Sequence, residues 1–315
     1  MAAPEMGAPA DPEWGKFMDQ VQTASTLPRR QLGRYLREWR SRVGLTQAAA
    51  GRLVEMSASA LQRIEAGETT RLRGRDIEAL CDVYGVPPET TTAFVGLARQ
   101  ANVKSWWHQY GDLIPPDFNV YVGLESVAAK IYSYQPELIP GLLQTPQYVY
   151  ELIRNRQPEG PVVEWEQHVE FRAHRRTIIN RRTEPVRLDV VIGEAALRRP
   201  VGSPGAMARQ LRHLADVPGQ LPHVTVRILP FAAGFPGGVS LSPFVILGFG
   251  EMTPGEPIEP PVVYLEAVVG NLYLEKPDDT SNYHEAYDRL ARAALDEVAS
   301  RQLLRQVARE YERGA

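Results

Sequence analysis

The sequence predicts an N-terminal all-α domain of five short helices followed by a larger C-terminal α+β domain. Three observations carry this. Residues 31–102 are dense in apolar stripes at helical spacing, punctuated by glycine and small capping residues. Beyond residue 104 the apolar runs become short, rich in Val, Ile, Leu and aromatics, and bounded by Gly and Pro clusters. Finally, 26 prolines among 315 residues exclude a long coiled coil and call for many short elements.

Taken in order, residues 1–27 form an acidic tail with four Asp/Glu against one Lys. Asp11-Pro12-Glu13 reads as a helix start, and Trp14, Phe17, Met18 and Val21 follow at i, i+3, i+4, i+7. This short amphipathic helix is expected to dock on its own protein; the alternative is a partner-binding or dimer-swapped segment. In the first domain, residues 28–104, Leu32, Tyr35, Leu36, Trp39 and Val43 make one stripe that Gly44 stops. Thr46 can cap a second helix running through Leu53 and Val54. Ser57 can cap a third, with Leu61 and Ile64 inward and Gly67 at its end. Ile77, Leu80, Cys81 and Tyr84 form a fourth stripe, stopped by Gly85 and Pro87-Pro88, and a fifth helix runs from Pro88 to Ala101.

The second domain, residues 105–315, has its junction with the first between Val103 and Pro116. Extended runs are expected at Val186–Ile192, His223–Leu229, Phe244–Phe249, Val262–Val268 and Asn271–Glu275. Helices are expected at 121–134, 161–182 and 204–216, with one long final helix over 280–312. Pro254–Pro261 reads as a surface loop and Gly234–Gly238 as a turn.

The net charge of −3 hides an asymmetry. Within residues 28–75, eleven Arg stand against four Glu, a net +7, whereas residues 105–315 carry −5. A compact basic domain is the electrostatic footprint of phosphate binding; the alternative is a solvated arginine face. The apolar runs stay below ten residues, short of the roughly 20 that span a bilayer. The opening MAAPEMGAPADPEW lacks a basic start and an apolar core, so no secretory signal is expected. A single cysteine, Cys81, cannot form an internal disulfide. The expected location is the cytoplasm, on the nucleoid when DNA is bound.

Residues 46–67, TQAAAGRLVEMSASALQRIEAG, have helix–turn–helix spacing, with the tight turn at Val54–Met56. In such a unit the second helix enters the major groove, and its first turns face the bases. Those positions are Ala58, Ser59 and Gln62, following Ser57. Gln62 can bond adenine N6 and N7, Ser59 can bond many base edges, and Ala58 offers a methyl for a thymine methyl. Thr46 and Gln47 open the preceding helix, where N–H groups suit a phosphate. Arg52, Arg63, Arg71, Arg73 and Arg75 are the natural cations for the DNA backbone.

LGRYLREWRSRVGLTQ, the SxxxLQRIEAG block and DIEALCDVYGV, within residues 31–85, resemble the phage-repressor-like (XRE) helix-turn-helix regulators. WWHQYGDLIP, YVGLESVAAKI, YQPELIPGLLQTPQY, EAALRRPVG, HVTVRILPF and LYLEKPDD are similar to the C-terminal domain of a large actinobacterial group of predicted transcriptional regulators. Its members are described as antitoxin-like and are often encoded beside a small BldB-like partner. The resemblance covers roughly residues 25–313. It implies Gln47 as a phosphate contact, and Ala58, Ser59 and Gln62 as base-facing. It also implies an Arg40–Glu65 ion pair inside the fold, whereas charge alone would place Arg40 on DNA. Two positions depart from the pattern. Members usually carry an acid where Ala49 stands, closing a capping box with the threonine, and often a basic residue where Ala60 stands. Losing the box costs up to ~1 kcal/mol. The recognition helix is thus small and apolar, which shifts weight to phosphates, DNA shape and dimerisation.

Other constellations carry less. Glu164 and His168 lie at i, i+4 with His174 further on, but no convergent cluster forms and no metal is expected. Trp106-Trp107-His108 reads first as inter-domain packing and second as a ligand box. Arg181-Arg182 and Arg198-Arg199 are flanked by acids and read as solvated surface, and Cys81 reads as an inert core residue. No catalytic constellation and no cofactor motif emerges, so no enzyme is expected. The sequence therefore predicts a regulator that binds double-stranded operator DNA as a homodimer through residues 57–67. The alternatives are an antitoxin-like module that binds a small BldB-like protein, with DNA binding as autoregulation, and a small-molecule-sensing regulator.

Overall fold

The structure, a computed structural model, describes residues 27–314 apart from 70, 103–106, 108–109, 111–112, 114, 254–255 and 268–269. The amphipathic segment from Asp11 to Val21 lies outside the described residues, as do Trp106 and His108; Trp107 is buried. The chain divides into two compact units, residues 1–105 with 115–123 and residues 106–114 with 124–315.

The first unit contains the five helices expected: α1 (Leu27–Arg42), α2 (Gln47–Leu53), α3 (Ala58–Glu65), α4 (Gly74–Tyr84) and α5 (Pro88–Ala101). Their ends follow the local chemistry. Thr46 Oγ1 accepts from Ala49 N at 3.1 Å, and Ser57 Oγ accepts from Ala60 N at 3.1 Å. Gly44, Gly67 and Gly85 take left-handed backbone after α1, α3 and α4, with φ of 69°, 71° and 68°. The core joins Leu32 and Leu36 of α1 with Leu61 and Ile64 of α3, Ile77, Leu80, Cys81 and Tyr84 of α4, and Phe94, Val95 and Ala98 of α5. Tyr35 stacks on Phe94 with ring centroids 5.5 Å apart. Burial pushes the Cys81 thiol up, away from the reactive thiolate. Val43 lies past the end of α1 and is 44% exposed, so it leaves the expected stripe.

The second unit takes the end of α6 (Pro116–Val127), from Leu124, and holds, among the described residues, a six-stranded mixed sheet. In chain order follow β1 (Lys130–Gln135), α7 (Pro146–Arg156), α8 (Val162–Asn180), β2 (Arg187–Gly193), α9 (Glu194–Arg198), α10 (Pro204–Gln220) and β3 (Val224–Leu229). Then come β4 (Phe244–Thr253), β5 (Glu256–Ala267), β6 (Gly270–Leu274), α11 (Pro277–Ala293) and α12 (Glu297–Arg313). The strand order is β3-β2-β1-β4-β5-β6, parallel through β3-β2-β1 and antiparallel beyond. Helical crossovers are what parallel neighbours require. One sheet face, with Tyr134, Val191, Leu229, Phe244, Ile246 and Val263, packs on Tyr287 and Leu290 of α11.

Three expectations fail. The stretch 121–134 is not one helix: α6 stops at Val127, and Lys130–Gln135 is β1. Apolar residues at 128, 131 and 134 fit helical spacing, yet β1 finds β2 on one side and β4 on the other, and that pairing wins. Pro254–Pro261 is not a loop, since β5 begins at Glu256 and pairs with β4 through Glu256, Pro257 and Glu259. β6 pairs only with Val263–Ala267, so Pro257, Pro260 and Pro261 sit where one strand edge needs no N–H donor. The final helix is two, α11 and α12, broken at Ala294–Asp296. The break lets Leu295 N donate to Ile228 O at 2.9 Å, while Ser300 Oγ accepts from Ile228 N at 2.9 Å. Together these bonds satisfy both backbone groups of Ile228 on the outer edge of β3.

Long-range polar contacts fix the remainder. Arg175 grips Glu125 through Nε–Oε2 at 2.7 Å and Nη2–Oε1 at 2.8 Å, with both side chains buried. Gln210, fully buried, accepts from Thr145 N at 2.6 Å and donates to Leu143 O at 2.8 Å. No helix among the described residues is long and apolar enough to cross a membrane.

Candidate nucleic-acid interface

The site is built around α2, its turn and α3. Gly51 lies inside α2, where glycine is a poor helix former. A Cβ there would stand 2.5 Å from Met56 O, so only glycine lets the two helices close this tightly. The turn is drawn in by Val54 N and Met56 N, which both donate to Gly51 O at 3.2 and 2.8 Å. Glu55, the turn's centre, takes φ of +55°, a left-handed conformation that costs a residue with a Cβ about 1 kcal/mol.

Helix α3 is then docked from behind. A Cβ on Gly33 of α1 would stand 2.6 Å from both Ile64 O and Glu65 O, so α1 lies directly against the end of α3. Glu65, 3% exposed, is the hub of the unit. Arg40 Nε meets Glu65 Oε1 at 2.6 Å and Arg40 Nη2 meets Oε2 at 2.9 Å. Gln47 Nε2 donates to the same Oε2 at 2.9 Å. Arg40 Nη1 donates to Leu45 O at 2.7 Å, and Arg37 Nη2 donates to Glu65 O at 3.3 Å. The bond to Glu65 raises the pKa of Arg40. Burial first, then the Glu65 charge, pushes the nearby Tyr84 hydroxyl up.

With Leu61, Ile64 and Glu65 turned inward, Ala58, Ser59, Gln62 and Arg63 face out from α3, and Ala60 is half-buried. Ser57 is exposed at the N-cap, its hydroxyl 3.1 Å from that of Ser59. Thr46 is exposed at the cap of α2. Gln47 is half-buried, and one of its two amide N–H groups is committed to Glu65. The cations divide into two sets. Arg40 is inside the fold, Arg75 pairs with Asp76 at 3.4 Å, and Arg42 lies over Trp39. Arg52, Arg63, Arg71 and Arg73 are exposed, and among the described residues none has an ion-pair partner.

Gly33, Gly51 and Glu55 escaped sequence reasoning. The signal for Gly51 was present, because a glycine inside a helical pattern marks close backbone approach. Elsewhere, no group of three His, Cys, Asp or Glu among the described residues could hold a metal ion. His168 is held low by burial, and His174 Nδ1 lies 3.1 Å from the Tyr110 hydroxyl. Arg198 pairs with Glu194 and Glu310, and Arg199 with Glu137. Gly234–Gly238 forms a turn closed by Gly238 N donating to Phe235 O at 2.9 Å.

Residues 31–94 match the model of a helix-turn-helix domain. Residues 118–306 match a domain of unknown function, DUF5753. No curated protein and no solved structure matches the chain. An exposed α3 face with exposed arginines beside it, on a helix-turn-helix domain, points to DNA binding and a regulatory role. The chain belongs to the DUF5753 family and carries that domain behind a helix-turn-helix domain.

Proposed function

We propose that this protein is a sequence-specific transcriptional regulator of the XRE type, from the antitoxin-like actinobacterial group, that binds operator DNA as a homodimer. The observation that carries the reading is the exposed face of α3, where Ala58, Ser59 and Gln62 project from a helix locked by Glu65. In this reading α3 lies in the major groove, with Gln62 on an adenine edge and Ala58 against a thymine methyl. Thr46, Gln47 and Ser57 flank the groove at phosphates, and Arg63, Arg71 and Arg73 neutralise the backbone. Two copies place their recognition helices about 34 Å apart on a pseudo-palindrome. In this reading the larger unit supplies dimerisation, partner binding or both, and no catalysis is included. Footprinting on the DNA upstream of the protein's own gene tests it: a two-fold symmetric protected site supports it. Equal affinity for that DNA and for unrelated duplexes at ~150 mM salt would sink it.

A second reading, an antitoxin-like module that holds a small BldB-like protein, has one observation in its favour. Phe231, Phe235 and Val239 are 61%, 70% and 58% exposed, all between β3 and β4. Co-purification with the product of the neighbouring gene, lost in a Phe231→Ser/Phe235→Ser variant, would support it. A complex indifferent to that change would count against this surface.

A further inference from the structure

The described residues between α3 and α4 form neither helix nor strand. Its start is tied by Gly67 N to Ile64 O and Glu68 N to Arg63 O, and its end by Asp76 N to Arg73 O. Between them, Arg71 and Arg73 are exposed while Leu72 is buried at 4%. This alternation is that of an extended strand, but among the described residues no strand lies beside it. The partner is one side chain. Asn102, the first residue past α5, accepts from Leu72 N through Oδ1 at 2.9 Å and donates through Nδ2 to Leu72 O at 2.6 Å. A carboxamide carries an acceptor and a donor side by side, so it can serve both backbone groups of one residue as a neighbouring strand would. Leu72 is thereby fixed inward, and the two exposed arginines are fixed outward on either side of it.

We propose that Asn102 is a positioning residue for DNA binding, which holds Arg71 and Arg73 as a preformed pair of phosphate contacts. The proposal rests on the DNA-binding reading above. Asn102 itself touches no DNA; it removes the ordering cost that a loose, arginine-bearing loop would incur on binding. The last turn of α5 is anchored independently, because Arg29 Nη2 donates to Ala101 O at 2.7 Å. Asn102 is thus held relative to the core whatever occupies the loop.

The test uses the full chain with Asn102→Ala, Arg71→Ala/Arg73→Ala and the triple variant, on a duplex from the protein's own upstream region and on an unrelated duplex. Asn102→Ala is expected to weaken both duplexes alike by about 10-fold, the cost of ordering two long side chains and their loop. It should add nothing in the Arg71→Ala/Arg73→Ala background. Hydrogen exchange at the Leu72 amide, measured without DNA, should speed up in Asn102→Ala while amides in α1 and α4 stay protected. Asn102→Asp keeps the size and the acceptor but sets a carboxylate oxygen against Leu72 O, and should behave like alanine. Three outcomes overturn the proposal: unchanged binding by Asn102→Ala, an equal loss in the double-arginine background, or a Leu72 amide that stays protected. If the wild-type chain binds neither duplex, the DNA-binding reading falls and takes this role with it. Wild-type binding that drops with the arginines but not with Asn102 overturns this proposal alone.

Discussion

Arg40 and Glu65 lie 25 positions apart in sequence and form a two-pronged ion pair at 2.6 and 2.9 Å, with the carboxylate withdrawn from solvent. The pair ties α1 to the end of α3, and Gln47 brings α2 to the same carboxylate. All three helices of the candidate interface are therefore oriented through one buried charge. Glu65→Ala leaves Arg40 with half its partners gone and should destabilise the first unit by about 3 kcal/mol. Thermal unfolding of the full chain should show an earlier transition for that unit, with the second unit's transition unmoved. An unchanged first transition would mean that the pair contributes nothing to docking.

Gly51 and Gly33 make a separate steric prediction. A methyl at Gly51 would stand 2.5 Å from Met56 O, and one at Gly33 would stand 2.6 Å from two carbonyls. In each case the obstacle is backbone and cannot swing aside. Gly51→Ala and Gly33→Ala should each cost about 2 kcal/mol, although alanine is the better helix former. Gly96, also helical, has open space within 4 Å of where a methyl would stand, so Gly96→Ala should be neutral or stabilising. Denaturant midpoints for the three variants check the order.

Glu55 predicts a gain. Its φ of +55° is a conformation that glycine adopts without penalty. Glu55→Gly should raise the stability of the first unit by about 1 kcal/mol and leave α2 and α3 in place. It also removes a carboxylate from the turn beside the candidate DNA face, so affinity for any duplex should rise slightly at low salt and less at high salt. A fall in stability would show that the side chain makes a compensating contact.

The first unit was legible because its signals are local. Thr46 and Ser57 cap within three residues of their partners, and Gly44, Gly67 and Gly85 end helices in place. The outward residues of α3 follow from the inward ones by helical geometry. The second unit was legible in class but not in detail. The stretch 121–134 reads as one helix until β2 and β4 flank Lys130–Gln135, and the break at Asp296 is set by bonds to Ile228 in a distant strand. Contacts such as Gln210 to Thr145 and Arg175 to Glu125 span 65 and 50 residues, beyond any local pattern. The Arg40–Glu65 spacing is equally silent, and charge alone would have put Arg40 on DNA; the pair was expected from the family resemblance, and the structure shows it.

The second unit should lose stability in mild acid. His168 is held below the ordinary histidine range by burial and then by Arg172 and Arg156, against Glu164. His213 is lowered by burial and then Arg176, against Asp216. His284 is lowered by burial and by Lys130, against Asp288. A depressed folded pKa means that the unfolded chain binds more protons than the folded one, so stability rises with pH. The contribution is fully present above about 6.5 and is lost as pH falls through the lower folded values. The Tm of the second unit should therefore drop between about pH 7 and 5, before most carboxylates titrate. Replacing the three histidines with glutamine should flatten that part of the profile; a profile as steep as before would assign the acid sensitivity elsewhere.

Base reading and phosphate contact should separate at Gln62 and Arg71. Gln62 is exposed on α3, where a carboxamide can meet one base edge with two hydrogen bonds. Arg71 is exposed beyond α3 with no ion-pair partner among the described residues, and so can meet any phosphate. Gln62→Ala should cost about 1–3 kcal/mol on the cognate duplex and almost nothing on a duplex altered at the base pair that Gln62 reads. Arg71→Ala should weaken all duplexes alike and reduce the slope of log affinity against log salt by about 1. Titrations at several salt concentrations on a set of single-base-pair variants measure both quantities together. If Gln62→Ala lowered affinity uniformly, α3 would be gripping the backbone, and base reading would have to come from another surface.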